Sequence, residues 1–236
     1  MKTSIPLYLT QQQECSYLDN RFARNVVCDP EMDFDPLIYD HLLAEGFRRS
    51  GCMVYRPNCQ HCEECQSSRL PVNEFRPNRS QKRAWKKVAG HLTVEAKPAA
   101  FLEEHYQLYQ KYTANRHADG GMQNSSPQDY MSFLSCHWAK TYFVELRLDG
   151  DLFAVAVTDR QPQSLSALYT FFDTDKASMS PGVVAVLAQI ELAQRWQLPW
   201  LYLGFWIRES PKMAYKINYQ PLEVFRSGQW LKALSE

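Results

Sequence analysis

With 236 residues, 45% of them hydrophobic and 22% charged, the chain can bury one large core or two modest ones. Arg, Lys, Asp or Pro interrupts every apolar run, and Met1 to Pro6 carries no apolar signal stretch, so the expectation is a cytoplasmic protein without a membrane partner. Net charge is zero but uneven: residues 25–47 hold no Lys or Arg, whereas between Gln66 and Gly90 seven basic residues face only Glu74.

Asp35-Pro36 is a helix start, Leu37, Ile38, Leu42 and Leu43 give the buried stripe, and Gly46 ends it. A second helix begins near Ser80 with Lys82, Arg83, Lys86 and Lys87 on its exposed side. The character changes at Ala96-Lys97-Pro98. A helix follows over 101–116, broken by Gly120-Gly121, and Ser126-Pro127-Gln128-Asp129 starts another that runs through Tyr130, Phe133, Leu134 and His137. Strands are predicted at 142–148 and 152–157 around an Asp149-Gly150 turn, and at 165–172. Pro181-Gly182 opens a helix, and the apolar run 200–206 suits a central strand buried on both faces. Ser210-Pro211 starts a helix through Tyr219, and residues 223–231 form a closing hairpin. The predicted class is α+β: a Cys-rich, basic N-terminal domain over 1–97, then over 98–236 a mixed sheet flanked by helices. The order of elements resembles a GNAT-type acyltransferase domain.

Seven cysteines, an odd number without an export signal, favour reduced thiols or thiolate ligands over a disulfide framework. Cys59, Cys62 and Cys65 stand three residues apart, so successive turns can bring their sulfurs to one side. The spacing resembles an iron–sulfur loop and equally supplies three of four zinc ligands. Cys15 is the preferred fourth ligand, followed by Cys28, Cys52 and His61; cluster and zinc both remain open. Arg76, Arg79 and Arg83, spaced by three and four with Lys82 between them, can face one way. A planar guanidinium grips carboxylate or phosphate through two parallel hydrogen bonds, and the sequence alone does not choose between these anions. Farther along, Tyr169-Thr170-Phe171-Phe172 ends one strand, and Trp206 leads from another into Ser210-Pro211-Lys212, with Tyr215 and Lys216 one turn later. Strand ends that meet helix starts are where such sheets take ligands. No nucleophile triad, P-loop or G-x-G-x-x-G is present.

Taken together these segments resemble the bacterial aspartate/glutamate leucyltransferases, relatives of the eukaryotic arginyl-tRNA–protein transferases. The likeness rests on Glu14-Cys15-Ser16-Tyr17-Leu18, Gly46-Phe47-Arg48-Arg49-Ser50-Gly51, Tyr55-Arg56-Pro57 with the three cysteines, and Phe75 through Trp85. It continues in Ala114-Asn115-Arg116-His117, Ala154 to Asp159, Tyr169-Thr170-Phe171, Leu203 to Ile207, and Ser210 to Met213. Pro181-Gly182 and Asp19-Asn20 depart from the family's usual Leu-Gly and Pro-Gly.

The resemblance implies leucyl-tRNA as donor, proteins beginning with Asp or Glu as acceptors, and marking for N-degron (N-end rule) proteolysis. No cofactor is required for such a transfer, because the aminoacyl ester is already activated. An α-amino group with a pKa of ~7.7–8.0 is partly neutral near pH 7, and positioning it can supply ~7–11 kcal/mol at best. On this reading Arg76, Arg79 and Arg83 take the acceptor carboxylate, and Lys212 and Lys216 steer the tRNA acceptor end. Tyr169, Phe171 and Trp206 shape the leucine and adenosine pocket, and backbone N–H groups near Ser210 meet the oxyanion. No general base is identifiable. Two rivals stand beside it. One is a GNAT acetyltransferase, disfavoured because Met179-Ser180-Pro181-Gly182 is a poor glycine loop for coenzyme A. The other is a non-catalytic Cys-cluster protein that binds RNA or senses redox state.

Overall fold

The computed structural model describes residues 4–116 and 125–233; the predicted break at Gly120-Gly121 lies outside the described residues. The chain opens with four short strands, β1 (Leu7–Leu9), β2 (Gln13–Glu14), β3 (Phe22–Ala23) and β4 (Asn25–Cys28). Helix α1 (Pro36–Ala44) follows; the Asp35 carboxylate accepts from Leu37 N–H at 2.8 Å, and Gly46 leaves the helix with φ +84°. Its buried side is Tyr39, Leu42 and Leu43, whereas Leu37, expected in the stripe, is 67% exposed. Strands β5 (Arg48–Ser50) and β6 (Met53–Pro57) complete a four-stranded sheet of order β1-β4-β6-β5.

Strand β7 (Gln66–Pro71), helix α2 (Arg79–Val88) and strand β8 (Leu92–Pro98) come next. Helix α2 has a reciprocal capping box between Asn78 and Gln81 and buries only Gln81, Ala84 and Val88. After α3 (Glu103–Arg116) and α4 (Pro127–Leu134) the meander β9 (Thr141–Leu148), β10 (Asp151–Arg160) and β11 (Ser164–Phe172) forms as its alternation predicts. Asp149 and Gly150 both have positive φ, which matches the twist of a two-residue hairpin. The α4 helix stops at Leu134, so His137 belongs to the following loop rather than to the predicted helix.

A 3₁₀ turn over Thr174–Met179 and helix α5 (Pro181–Arg195) cross to β12 (Trp200–Trp206), parallel to β11. Helix α6 (Pro211–Ala214) is short, and Tyr215–Asn218 tightens into a 3₁₀ turn. Lys216 and Tyr219, three apart, are both buried, a spacing at which a 3₁₀ turn stacks side chains one above the other. Strands β13 (Glu223–Arg226) and β14 (Gln229–Lys232) close the chain.

The large sheet has eight strands in the order β14-β13-β7-β12-β11-β10-β9-β8. Its two faces carry separate apolar cores, one with α2 and α5, the other with α3 and α4. β12 is central, as its apolar run requires, and the meander plus crossover is the mixed, helix-flanked GNAT-like arrangement. β7 and all of β8 except its last residue, Pro98, lie before residue 98, yet both strands belong to this sheet. A third core, with Tyr39, Leu43, Phe47 and Val54, joins the small sheet to Tyr202 of β12. Across this seam Arg49 is fully buried against Asp159, with Nε–Oδ2 2.5 Å and Nη2–Oδ1 2.6 Å, and it donates further to Gly51 O, Leu134 O and Thr141 Oγ1.

Candidate active site

β11 and β12 pair only from Ser164–Trp200 to Ser166–Tyr202. Beyond that level β11 keeps β10 as far as the Ala154–Phe172 pair, and β12 keeps β7 as far as Trp206–Gln66. The two central strands therefore stop pairing toward their C-terminal ends, which leaves an opening in the hydrogen-bond ladder of the sheet. Register shifts at Val157/Thr158 of β10 and Tyr202/Gly204 of β12 bend the strands beside it, and Gly204 supplies the positive φ of +77°. Helix α5 starts next to this opening, and a Cβ added at Gly182 would lie 3.7 Å from the Phe172 ring.

Tyr169 and Trp206 stand on the two parting strands. Among the described residues the Tyr169 hydroxyl and the Trp206 indole N–H are both buried without a hydrogen-bond partner. A buried polar group left unpaired costs ~1–3 kcal/mol, so each is a group that a hydrogen bond from a ligand would stabilise. Tyr112 of α3 packs edge-on against Tyr169 at 6.3 Å and Phe172 at 4.8 Å, an aromatic wall that sequence reading missed. Phe171 lies on the same strand face as Tyr169 and, fully buried, meets Tyr109 and Tyr130 in the α3/α4 core, where Tyr169 also contacts Tyr109 at 6.2 Å and Phe133 at 5.3 Å.

The segment leaving β12 differs from its predicted use. Lys212 is exposed, but Lys216 is buried; its ammonium donates to Phe205 O at 2.6 Å and contacts Met213 Sδ at 3.4 Å. Burial first, then the charge of Arg48, pulls Lys216 down to about 7, against a smaller opposing pull from Cys65. Ser210 is buried, and its own N–H is already given to Ile207 O.

Arg76, Arg79, Lys82 and Arg83 are all exposed. Asn78 and Gln81 in the first turn of α2 donate to Asn218 O, Phe75 stacks on Tyr219 at 6.2 Å, and Lys87 in the last turn donates to Ser178 O. The basic helix thus runs from the segment after β12 to the segment after β11, along the side of the opening. Arg76 Nη1 is held by Asn73 O and Phe75 O. Among the described residues Arg79, Lys82 and Arg83 have no ion pair.

Cys15, Cys59, Cys62 and Cys65 line one cavity of about 560 Å³ below the small sheet. Cys15, Cys62 and Cys65 pack against Phe205 and Ile207 of the β12 end. The Arg21 guanidinium donates to Cys62 Sγ at 3.3 Å and to Glu209 at 3.0 Å. Burial, with Cys15 and Cys59 next in effect, pushes the Cys65 thiol up to about 12. The four thiols share this cavity, but among the described residues they are not a group whose ligand atoms converge within 4.8 Å. Of the alternative ligands, Cys52 is bonded to Cys136 in a disulfide, a correction to the expectation of reduced thiols. Arg21 and Arg56 also line the cavity. Arg56 lies in the Tyr55-Arg56-Pro57 segment, but Arg21 has no local signal because its partners are 41 and 188 residues away.

The meander, the helical crossover and the mixed sheet whose two central strands stop pairing have the GNAT-like architecture of acyltransferases. Residues 13–83 and 104–226 match the N-terminal and C-terminal families described as arginine-tRNA-protein transferase. The aspartate/glutamate leucyltransferase of Nitrosococcus oceani is 45% identical over 94% of each chain. That of Alcanivorax borkumensis is 46% identical over 97% of this chain and 94% of its own. Among solved structures, FemX shares 9% identity and a TM-score of 0.47 over 87% of this chain and 81% of its own. The chain belongs to the aspartate/glutamate leucyltransferases, enzymes of the aminoacyl-tRNA–protein transferase class. Among the described residues no helix is long and apolar enough to cross a membrane.

Proposed function

We propose that this chain moves leucine from leucyl-tRNA to the α-amino group of proteins beginning with Asp or Glu, with the bond made in the opening between β11 and β12. The observation that carries this reading is the pair of unpartnered buried donors, Tyr169 OH and Trp206 Nε1, on the two parting strands. In the reaction the neutral amine attacks the ester carbonyl, the oxyanion collapses, and the terminal ribose oxygen of the tRNA leaves with a proton. The ester is already activated, so the protein's task is to orient and desolvate. Tyr169 and Trp206 offer their hydrogen bonds to the aminoacyl-adenosine end, with Tyr112 as a stacking wall.

The exposed face of α2 meets tRNA phosphates through Arg79, Lys82 and Arg83, whose cationic heads are free to track a flexible anion. Arg76 is anchored by two carbonyls, so its remaining donors are fixed in direction; we assign it the acceptor carboxylate. Lys212 lies on the exposed side of the same segment and adds to the tRNA surface, whereas buried Lys216 holds the Phe205 carbonyl and so shapes the β12 end. The cysteine cavity is assigned a structural iron–sulfur or zinc site, for which Cys15, Cys59, Cys62 and Cys65 would have to draw together, outside the transfer step. Marking for degradation would follow from the leucine added.

The test is direct. The purified chain is incubated with leucyl-tRNA and an Asp-starting peptide, and in parallel with acetyl-CoA. A leucine mass increment without acetylation is expected. Acetylation, or binding of tRNA with no transfer to the peptide, would overturn the reading in favour of an acetyltransferase or an RNA-binding protein.

A further inference from the structure

The loop after α4 and the turn between β5 and β6 meet on the far side of the Arg49 seam, away from the opening between β11 and β12. There Cys52 and Cys136 form a disulfide, and His137 Nδ1 lies 3.7 Å from Cys52 Sγ and 3.9 Å from Cys136 Sγ. The other ring nitrogen, Nε2, is 2.6 Å from Asp33 Oδ1. These residues belong neither to that opening nor to the cavity of Cys15 and Cys65.

We propose that Cys52, Cys136 and His137 form a separate metal site for a thiolate-seeking divalent ion of the zinc type, opened when their disulfide is reduced. The three ligand atoms lie within 4.8 Å of one another. Zinc bonds of ~2.3 Å to sulfur and ~2.0–2.1 Å to nitrogen, set at a tetrahedral angle, separate those atoms by about 3.5 Å. The observed nitrogen–sulfur distances are already close to that value. Asp33 supplies what a metal-binding imidazole needs on its outer side: a carboxylate that accepts a hydrogen bond from Nε2–H and so leaves the Nδ1 lone pair turned toward the sulfurs.

Both cysteines sit on pinned backbone, so reduction need not scatter the thiols. Gly51 N–H donates to Phe133 O at 3.0 Å, and Arg49 donates to Gly51 O at 2.7 Å and Leu134 O at 3.2 Å. A Cβ at Gly51 would lie 2.7 Å from Ser132 O, which shows how closely the two segments are seated. A dithiol reductant gives two electrons and two protons, becoming a disulfide itself, while the Cys52–Cys136 bond becomes two thiols. The entering divalent ion displaces both thiol protons to form two metal–sulfur bonds, takes Nδ1 as third ligand, and keeps water in the position that faces solvent. An oxidised dithiol runs the sequence backward and releases the ion.

The full chain, reduced anaerobically with a dithiol and desalted, is titrated with cobalt(II) and then alkylated. Peptide mass spectrometry reads each cysteine separately, so any cobalt held by Cys15, Cys59, Cys62 or Cys65 is distinguished. Cobalt-dependent protection of Cys52 and Cys136 is expected in the reduced chain; in the oxidised chain the two sulfurs are bonded to each other and are alkylated neither with nor without cobalt. His137→Asn should weaken the protection by more than tenfold, and Asp33→Asn by about tenfold, the usual effect of an outer carboxylate. Equal alkylation of the two cysteines with and without cobalt overturns the proposal. That comparison uses the unsubstituted chain, so a variant that fails to fold does not decide it.

Discussion

Arg49 and the basic row of α2 use the same side chain for opposite ends. The Arg49 side chain has no exposed surface and makes five hydrogen bonds to Asp159, Thr141 and backbone carbonyls, so it lies out of reach of a ligand. Arg79 and Arg83 are exposed and unpaired among the described residues, on a helix that runs beside the opened sheet. Both groups occur in segments that carry the family resemblance. The difference teaches that a motif arginine becomes architecture when the fold completes its donors and becomes a binding surface when it does not.

The largest effect should come from breaking the completed set. Asp159→Ala leaves a guanidinium buried without its counter-charge, and a loss of about 3–5 kcal/mol in denaturant unfolding is expected. A loss below ~1 kcal/mol would mean the seam relaxes and the contrast is overstated. Next comes Lys216, whose folded pKa of about 7 lies below its ordinary 10.5. Below pH 7 both folded and unfolded chains carry the proton, and the folded chain suffers the full burial cost. Between the two values only the unfolded chain is protonated, so that cost fades as pH rises. Lys216→Met should therefore be most favourable to stability at pH 6 and progressively less so toward pH 10. The swing is on the order of several kcal/mol, offset throughout by ~1–3 for the orphaned Phe205 carbonyl. A difference between the two proteins that stays flat from pH 6 to 10 would show that Lys216 is charged when folded.

The open row should behave in the reverse way. Arg79→Ala, Lys82→Ala and Arg83→Ala combined should change stability by no more than ~0.5 kcal/mol each. The same triple variant should flatten the dependence of log affinity for tRNA on log salt by about 2 to 3, close to one per lost phosphate contact. An unchanged slope would remove α2 from the tRNA surface.

Much of the C-terminal fold was legible because its signals are local. The Asp149-Gly150 turn, the apolar run 200–206 and the Ser126 capping box each state their structure within a few residues. β7 was not legible: Ser67, Ser68 and Arg69 look like loop residues, yet they are accommodated by Gly46 O, Gly204 O and Glu223, contacts 21, 136 and 154 residues distant. The Cys52–Cys136 bond, spanning 84 residues, was hidden for the same reason. Of the site, the cysteine spacing and the residues at the ends of β11 and β12 could be read directly. The burial of Lys216 and the aromatic wall of Tyr112 could not, because both depend on which strand ends part.

Leucine transfer by Arg76→Ala to an Asp-starting and a Gly-starting peptide, at saturating leucyl-tRNA, tests the central claim most directly. The wild-type chain should label the Asp peptide strongly over the Gly peptide, and the variant should lose that preference while its tRNA affinity holds. A variant that still prefers Asp, or that loses tRNA instead, contradicts the assignment of this anchored guanidinium to the acceptor's carboxylate.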